Sequence, residues 1–472
     1  MNAKHWIVLA LMAAAPAGAA EKEGVAVTVY NGGYCVVRET RSLDVARNGV
    51  VKFKDVAARI DATTVHFKSL TDPGAKLLEQ NYQYDLVSAD KLLRKYIDKP
   101  IDVICEGKST YAGSLLSFDA RQLVLKQADG KIVMVQRPDN VRDIRFSALP
   151  GGLLTRPTLI WLVATKKPGK HLAEVTYQSS GISWHAEYVF VLNGDDSAGD
   201  LSGWVSVQNN SGKTYRDAKM KFIAGDVRRV ADPSSGVSHN RGRPKGLSAA
   251  PMQEKAFFEY HMYTLPRPST VADSEVKQLE MFTPARGVKV SKKYLYNPLG
   301  SFRWNYGGRY TNRSYGLTSP KKVNVFIEFK NTQANQLGIP LPAGKVRVYK
   351  QDPDDKALEF IGEEKIDHTP KDEELSLRIG NAFDIVGERR QTEFKVETGR
   401  KWMSETVEIK VRNHKEEDVV VRIKEPLYRW VNWKIVKKTH DYEKLDSRNI
   451  AFDVKVAKDA ETKVTYTVEY TW

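Results

Sequence analysis

Cysteine is nearly absent from this chain, which has two cysteines among 472 residues. A disulfide-rich scaffold is therefore excluded, and hydrophobic cores must hold the fold together. Cys35 and Cys105 could form one disulfide in an oxidising compartment. Cys105 ends the apolar run IDVIC, however, where a small buried thiol fits equally well. Both alternatives stay open, because the geometry of the two side chains decides between them.

Sequence motifs for common reactions are also missing. The nine histidines are scattered, and no HExxH, CxxC or His-x-His spacing occurs, so the sequence predicts no metal site. Neither a GxSxG elbow nor a GxGxxG loop is present. The sequence therefore favours a protein without catalytic activity and without a cofactor.

Some polar residues keep other chemistry open. His185 and Asp226 could serve a divergent secreted hydrolase, which is the enzymatic alternative. Asp195, Asp196 and Asp200 lie close enough in sequence to bind Ca²⁺. Their spacing differs from that of the helix–loop–helix calcium loop, and a hairpin loop explains the same residues.

Long apolar runs are limited to the start of the chain. Lys4 precedes an apolar segment from Trp6 to Ala15, and Ala17-Gly18-Ala19 supplies small residues for cleavage. The run is too short to span a bilayer. The sequence therefore predicts a signal peptide over residues 1–20, cleaved near Ala19/Ala20. We expect a periplasmic or secreted protein that is peripheral rather than integral to the membrane.

Positive charge exceeds negative charge. The chain has 73 Lys and Arg against 58 Asp and Glu, a formal net charge of +15. Such a balance favours anionic partners. Export makes nucleic acid the least suitable of these, so we expect an envelope polysaccharide, a lipid or a protein as partner. The alternative is that the surplus charge only keeps an exported β-protein dissolved.

Short alternating runs broken by Gly, Pro, Asn and Asp dominate the sequence pattern. Helical periodicity is rare, with one short helix predicted over Ala89–Tyr96 behind Ser88 as its cap. Five strand-like pieces between 97 and 147, with the hairpin turn Asp129-Gly130, favour a small SH3-like or Sm-like barrel. We expect an all-β chain of several antiparallel, Ig-like β-sandwich modules with this barrel inserted.

Shifts in this pattern predict the domain boundaries. We expect a signal peptide at 1–20, a discontinuous N-terminal β-sandwich at 21–96 and 148–230, the barrel at 97–147, a linker or loop at 231–255, a middle β-sandwich at 256–390 and a C-terminal β-sandwich at 391–472. A faint repeat supports several modules, because a strand followed by Asn recurs in WVSVQNNSG at 204–212, NVFIEFKNTQAN at 324–335 and TVEIKVRNHKEED at 406–418. Chance strand patterning is the alternative.

A basic aromatic stretch at 286–322 is the strongest candidate for contact with a partner. Arg and Lys interleave there with Tyr, Phe and Trp, so the segment could stack on sugars and pair with phosphates or carboxylates. The candidate binding residues are Lys292, Lys293, Tyr296, Arg303, Trp304, Tyr306 and Arg309. The alternative is a long hairpin whose aromatic side chains pack on a neighbouring module.

Several short segments after residue 155 carry a resemblance to a known family. They are GISWHAEY at 181–188, LSGWVSV at 201–207, NNSG at 209–212, IAGDV at 223–227, YHMY at 260–263, PLPAG at 340–344 and FIGE at 360–363. The chain resembles a bacterial domain-of-unknown-function family of exported proteins whose longer members are called mucoidy-inhibitor-like. The resemblance implies an exported β-rich protein with no assigned reaction, and it hints at envelope polysaccharide. Unlike the long members, this chain has no coiled-coil region.

These observations together predict an exported, non-catalytic, β-rich protein that binds or scaffolds in the bacterial cell envelope. The partner would be an anionic glycan, a lipid or a protein. A divergent secreted hydrolase is the alternative. The sequence does not predict an oligomeric state.

Overall fold

The computed structural model describes residues 22–84, 88–137, 140–148, 150, 153–225, 227, 252–257, 259–300, 308–316 and 319–472. The predicted signal peptide and most of the 231–255 segment lie outside these ranges, as do Asp226, Arg303, Trp304 and Tyr306. Within them nearly all secondary structure is β-strand, which confirms the predicted all-β class. No helix in the same ranges combines the length and hydropathy that a membrane crossing needs.

Thirty strands and one α-helix are present in the described ranges. The elements up to residue 224 are β1 Gly24–Tyr30, β2 Tyr34–Val45, β3 Gly49–Lys54, β4 Ile60–Ser69, β5 Lys76–Gln83, α1 Ala89–Lys95, β6 Pro100–Cys105, β7 Thr110–Phe118, β8 Gln122–Lys126, β9 Ile132–Gln136, β10 Val141–Phe146, β11 Thr158–Ala164, β12 Gly169–Ser180, β13 Ile182–Leu192, β14 Ala198–Asn209 and β15 Tyr215–Ala224.

The later elements are β16 Gln253–Phe257, β17 Tyr260–Thr264, β18 Ser269–Val271, β19 Glu275–Lys289, β20 Ser291–Tyr296, β21 Lys322–Lys330, β22 Gly344–Gln351, β23 Leu358–Ile366, β24 Glu374–Glu397, β25 Trp402–Asn413, β26 Val419–Pro426, β27 Trp433–Lys438, β28 Glu443–Lys444, β29 Asn449–Val456 and β30 Ala460–Thr471. Short 3-10 helices occupy Glu106–Lys108, Gln333–Asn335 and Thr398–Arg400.

Three sheets share the first core. An eight-stranded sheet has the order β16-β17-β15-β1-β2-β12-β4 with β18 beside β15, a five-stranded sheet has the order β19-β14-β13-β22-β23, and a three-stranded sheet has the order β3-β11-β5. Alternate residues of these strands face inward, as the pleat requires. One continuous cluster of buried side chains, including Trp161, Trp184 and Tyr188, fills the space between them.

A nine-stranded sheet encloses the second core. Its order is β27-β30-β25-β24-β21-β20-β26-β29-β28. The segment 256–390, for which we predicted a middle sandwich, contributes strands to three sheets. β17 and β18 join the eight-stranded sheet and β19, β22 and β23 join the five-stranded sheet of the first core, whereas β20, β21 and β24 join this one. Leu377 of β24 lies in the first core and Ile385 in the second, so this long strand belongs to both.

The 97–147 unit forms a sheet of its own with a separate small core. Its order is β10-β6-β7-β8-β9, and no ladder between β9 and β10 closes it, so the predicted barrel is wrong and the sheet is open. Helix α1 packs beside it, and the side chain of Ser88 accepts a hydrogen bond from the backbone N–H of Lys91, which confirms the predicted cap.

The two cysteines lie in different cores. Cys35 is part of the first core and Cys105 belongs to the small core of the 97–147 unit, and both are buried free thiols. Of the two alternatives that the sequence left open, the structure thus has the unbridged one. Burial raises the pKa of the Cys35 thiol to about 12.

The three repeated asparagines are buried at strand ends. Each forms what we call an asparagine latch, a set of hydrogen bonds from its Nδ2 to backbone carbonyls of other segments. Asn413 donates hydrogen bonds from Nδ2 to the carbonyls of Glu417 at 2.8 Å and Ala457 at 3.0 Å. Asn209 makes the same pattern with the carbonyls of Lys213 at 2.8 Å and Ala272 at 2.9 Å. Each asparagine therefore ties the end of its strand to the turn four residues later and to a distant segment.

The third member of this set differs in detail. Asn331 donates to the carbonyls of Ile339 at 2.7 Å and Pro370 at 2.8 Å, and it is fully buried like the other two. The repeat seen in the sequence thus has one physical cause: a carboxamide can satisfy several buried carbonyls at a strand end.

Candidate functional site

The basic aromatic stretch does not form one contact surface in the described structure. Lys292, Lys293 and Tyr296 lie on β20, whereas Arg309 lies in the loop that precedes β21. Arg309 stacks over the rings of Trp430 and Trp472, with its guanidinium carbon 5.6 and 5.4 Å from the ring centroids. This cation–π contact packs the loop on the C-terminal module.

Tyr296 is a core residue. Its side chain is fully buried, and its hydroxyl bonds to the hydroxyl of Ser319 at 2.9 Å and to the carbonyl of Pro320 at 3.0 Å. The packing alternative therefore holds for this aromatic residue, which faces inward because it shares the parity of Tyr294 on β20.

Lys292 joins the nine-stranded sheet to the five-stranded sheet of the first core through an ion-paired cluster. Its Nζ lies 2.8 Å from Oδ2 of Asp196, and Nζ of Lys350 lies 2.6 Å from Oδ1 of the same carboxylate. Burial alone would raise the pKa of Asp196, but the hydrogen bonds from both lysines outweigh burial and hold the pKa below its usual value. Asp196 belongs to the loop between β13 and β14, so the cluster fixes that loop against β20.

A charged groove of about 1000 Å³ opens beside this cluster. Residues of β20, β21, β24, β26 and β29 line it from the nine-stranded sheet, and Asp195 and Asp196 line it from the β13–β14 loop. Six lining residues are carboxylates, namely Asp195, Asp196, Glu328, Glu417, Asp418 and Asp453. Four are cations, namely Lys292, Lys293, Arg422 and Lys424.

The charged residues that line the charged groove differ in whether they form ion pairs. Arg422 pairs with Asp453 at 2.8 Å and also with Glu443. Lys293 and Lys424 are exposed and form no ion pair with a residue that the structure describes. Two exposed cations without a salt bridge to a described residue therefore face the charged groove, and Lys424 acts on the carboxylate of Asp446 only at longer range.

Apolar side chains lie exposed between these charges. Val420 is 51% exposed and Leu445 is 38% exposed, and both line the charged groove together with Leu295 and Phe326. The sequence pattern pointed to Lys292 and Lys293 but not to the residues of β26. The run Val419-Val420-Val421 could have indicated an exposed apolar residue on β26. Successive side chains of a strand point to opposite faces, so when the outer two valines are buried the middle one faces away from the core.

Of the two residues of the hydrolase alternative, only His185 lies in the described structure. His185 is exposed on β13, where Nε2 lies 3.0 Å from Oε1 of Glu187. Burial raises the pKa of Glu187, but hydrogen bonds from His185 and Arg347 outweigh it and leave the pKa below its usual value. This is a surface ion network on a sheet face, and Asp226 lies outside the described residues.

The carboxylates of the calcium alternative bind protein cations or polar groups instead. Asp195 accepts hydrogen bonds from Ser197, and Asp196 holds the two lysines. Asp200 pairs with Arg286 at 2.5 Å. Among the described residues no group of three or more His, Cys, Asp or Glu is arranged to hold a metal ion.

Comparison of the chain with models of known protein families and with curated proteins finds no match, so the resemblance noted in the sequence stays a prediction.

Proposed function

We propose that this protein is an exported, non-catalytic binding protein of the bacterial cell envelope that holds a polypeptide segment of a partner in the charged groove. The observation that carries the proposal is that Lys293 and Lys424, which form no salt bridge with a described residue, line one groove together with exposed Val420 and Leu445. Exposed apolar side chains ringed by charge are typical of surfaces that bind another protein.

The charge balance of the charged groove favours a polypeptide over an anionic polymer. Six carboxylates against four cations leave the lining with a surplus of negative charge, although the whole chain is strongly positive. A polyanion or an anionic lipid surface would meet repulsion from Asp195, Glu417 and Asp418. A polypeptide can place acidic side chains on the two lysines, basic side chains on the carboxylates and apolar side chains on Val420.

Binding rather than turnover fits the residues that line this site. Among the described lining residues there is no histidine and no cysteine, and the sole serine, Ser376, bonds to Glu328 at 3.2 Å. A serine hydrolase would also need a third group that orients the base, and among the described residues Glu328 has no side-chain partner other than Ser376. Export rests on the sequence pattern of residues 1–20, and the cell envelope is the place where we propose that the exported protein acts.

Selection from a random peptide library displayed on phage tests the proposal. The mature protein should enrich peptides that contain both acidic and apolar residues, and these should compete with one another for one site. The double variant Lys293→Glu/Lys424→Glu should lose about tenfold or more in affinity for them. The control Lys52→Glu/Lys54→Glu, two exposed lysines on β3, should bind as the parent does.

Two further arms separate the other partner classes. Alginate serves as an anionic polysaccharide and phosphatidylglycerol vesicles serve as an anionic lipid surface. Neither should bind in a way that depends on Lys293 and Lys424. If either binds through these lysines while no peptide is enriched, the polypeptide proposal is wrong.

A further inference from the structure

Strand β9 is an unprotected edge of the open sheet in the 97–147 unit. It pairs with β8 on one side, and no described strand pairs with its other side. Its sequence IVMVQ holds no charge and no proline, the devices that usually block an edge. Ile132 and Met134 on this edge are 64% and 65% exposed.

The free backbone groups of β9 can be identified from its ladder. Gln127 donates its N–H to the carbonyl of Lys131 at 2.9 Å, so Lys131 points its backbone toward β8. Because such groups alternate along an antiparallel strand, Ile132, Met134 and Gln136 direct N–H and C=O away from β8. The outer edge therefore offers a regular set of donors and acceptors to another strand.

We propose that β9 pairs with β9 of a second copy of this chain, antiparallel about a two-fold axis at Val133. In this register Ile132 lies opposite Met134 of the other copy. The backbone N–H and C=O groups of both residues point away from β8, so the two residues can exchange hydrogen bonds. The axis repeats the pair, so the exposed apolar side chains cover one another twice. The β10-β6-β7-β8-β9 sheets of the two copies would become one continuous sheet.

Charge at the strand ends favours this register. With Val133 opposite itself, Lys131 lies opposite the uncharged Val135 of the other copy, so no like charges face each other along the two strands. A register centred on Met134 would instead set Lys131 opposite Arg137, which like charges disfavour. A register centred on Ile132 would set Met134 opposite Gly130 and leave it largely exposed.

The other free edge of this sheet is a poorer partner for β9. Strand β10 carries Arg142, Asp143 and Arg145, of which all three side chains are exposed. A charged edge of this kind resists pairing with an apolar strand. Self-pairing of β9 is therefore favoured over head-to-tail pairing of β9 with β10, and it predicts closed dimers rather than open fibres.

Sedimentation velocity of the mature protein over a concentration series tests the proposal. The parent should show a reversible monomer–dimer equilibrium. Met134→Pro removes an outward N–H without removing a bond to β8, so the sheet should keep its circular dichroism while the dimer weakens by about tenfold or more. Phe383→Lys, which removes an exposed apolar side chain from the central strand β24, should dimerise as the parent does.

A crosslink fixes the register independently of stability. Residues facing each other at a non-hydrogen-bonded position lie about 4.5 Å apart at Cα, within the range of about 4.4–6.8 Å that a disulfide spans. Val133→Cys should therefore form a disulfide-linked dimer on mild oxidation, faster than the more exposed Ile132→Cys. A parent that is monomeric at every concentration, or equal crosslinking of both variants, would overturn the proposal.

Discussion

Arg429 donates a hydrogen bond from Nε to Oε2 of Glu405 over 2.8 Å, and both side chains are fully buried. The guanidinium also donates to the backbone carbonyls of Tyr310 and Asn312, each at 2.9 Å. The pair therefore anchors the 308–316 loop, the latter part of the basic aromatic stretch, on the C-terminal module. Part of that stretch thus serves the fold rather than a ligand.

Breaking this pair should destabilise the protein strongly. Glu405→Gln and Arg429→Met each leave the other group buried without its counter-charge, and such changes cost about 3–5 kcal/mol of unfolding free energy. The matched surface change Arg422→Met, which loses Asp453, should cost about 1 kcal/mol or less. Urea unfolding followed by tryptophan fluorescence measures all three. Equal losses at the buried and the surface pair would contradict the role assigned to Glu405.

The asparagine latch gives a second stability prediction. Asn413→Ala leaves the carbonyls of Glu417 and Ala457 without a donor inside the protein, which should cost about 1–3 kcal/mol. Asn449→Ala, whose side chain bonds only to Asp446 near the surface, is the control and should change stability by less. Denaturant midpoints at constant slope report both changes. A latch variant as stable as the control would show that the repeated Asn is incidental.

Acid should weaken the contact between the β13–β14 loop and β20. The pKa of Asp196 is lower in the folded protein than its value of about 3.9 in an unfolded chain. Its carboxylate therefore stabilises the fold above that pH, and the contribution disappears as pH falls through the folded pKa. Asp196→Asn should lower the urea midpoint at pH 7 and should lower it by less at pH 2. The exposed Asp102→Asn serves as control, and an equal effect of Asp196→Asn at both pH values would contradict the ion-paired cluster.

Thiol accessibility checks the two cysteines. Because Cys35 and Cys105 are buried free thiols, a disulfide reagent such as DTNB should label almost none of them in the native protein and both after unfolding without reductant. The Cys105→Ser variant should then show a single thiol. Absence of free thiol in the unfolded, unreduced protein would instead mean that a bridge forms.

The sequence predicted the class of fold because alternation and turn residues are local signals. All-β structure and the cap at Ser88 came from such patterns and were confirmed. Sheet membership was not accessible in the same way, since β13 pairs in parallel with β22, a strand far along the chain. The open sheet of the 97–147 unit was predicted as a barrel because closure depends on whether β9 and β10 meet, which no local pattern encodes.

The candidate site shows the same division. Lys293 was found because charge and aromatics cluster around it, but the pattern could not tell that Tyr296 faces the core while Lys293 faces solvent. Lys424 and Val420 were missed because they reach the charged groove through the parallel pairing of β20 with β26. Composition alone pointed to an anionic partner, whereas the assembled lining carries more carboxylates than cations.

A charge swap in the charged groove provides the most direct measurement. Fluorescence anisotropy would compare a peptide selected by the parent with a version whose acidic residues are replaced by lysine, each titrated with the parent and with Lys293→Glu/Lys424→Glu. We expect the parent to prefer the acidic peptide and the variant to prefer the lysine version, each by about tenfold or more. Equal affinity of both peptides for both proteins would contradict binding of a polypeptide in the charged groove.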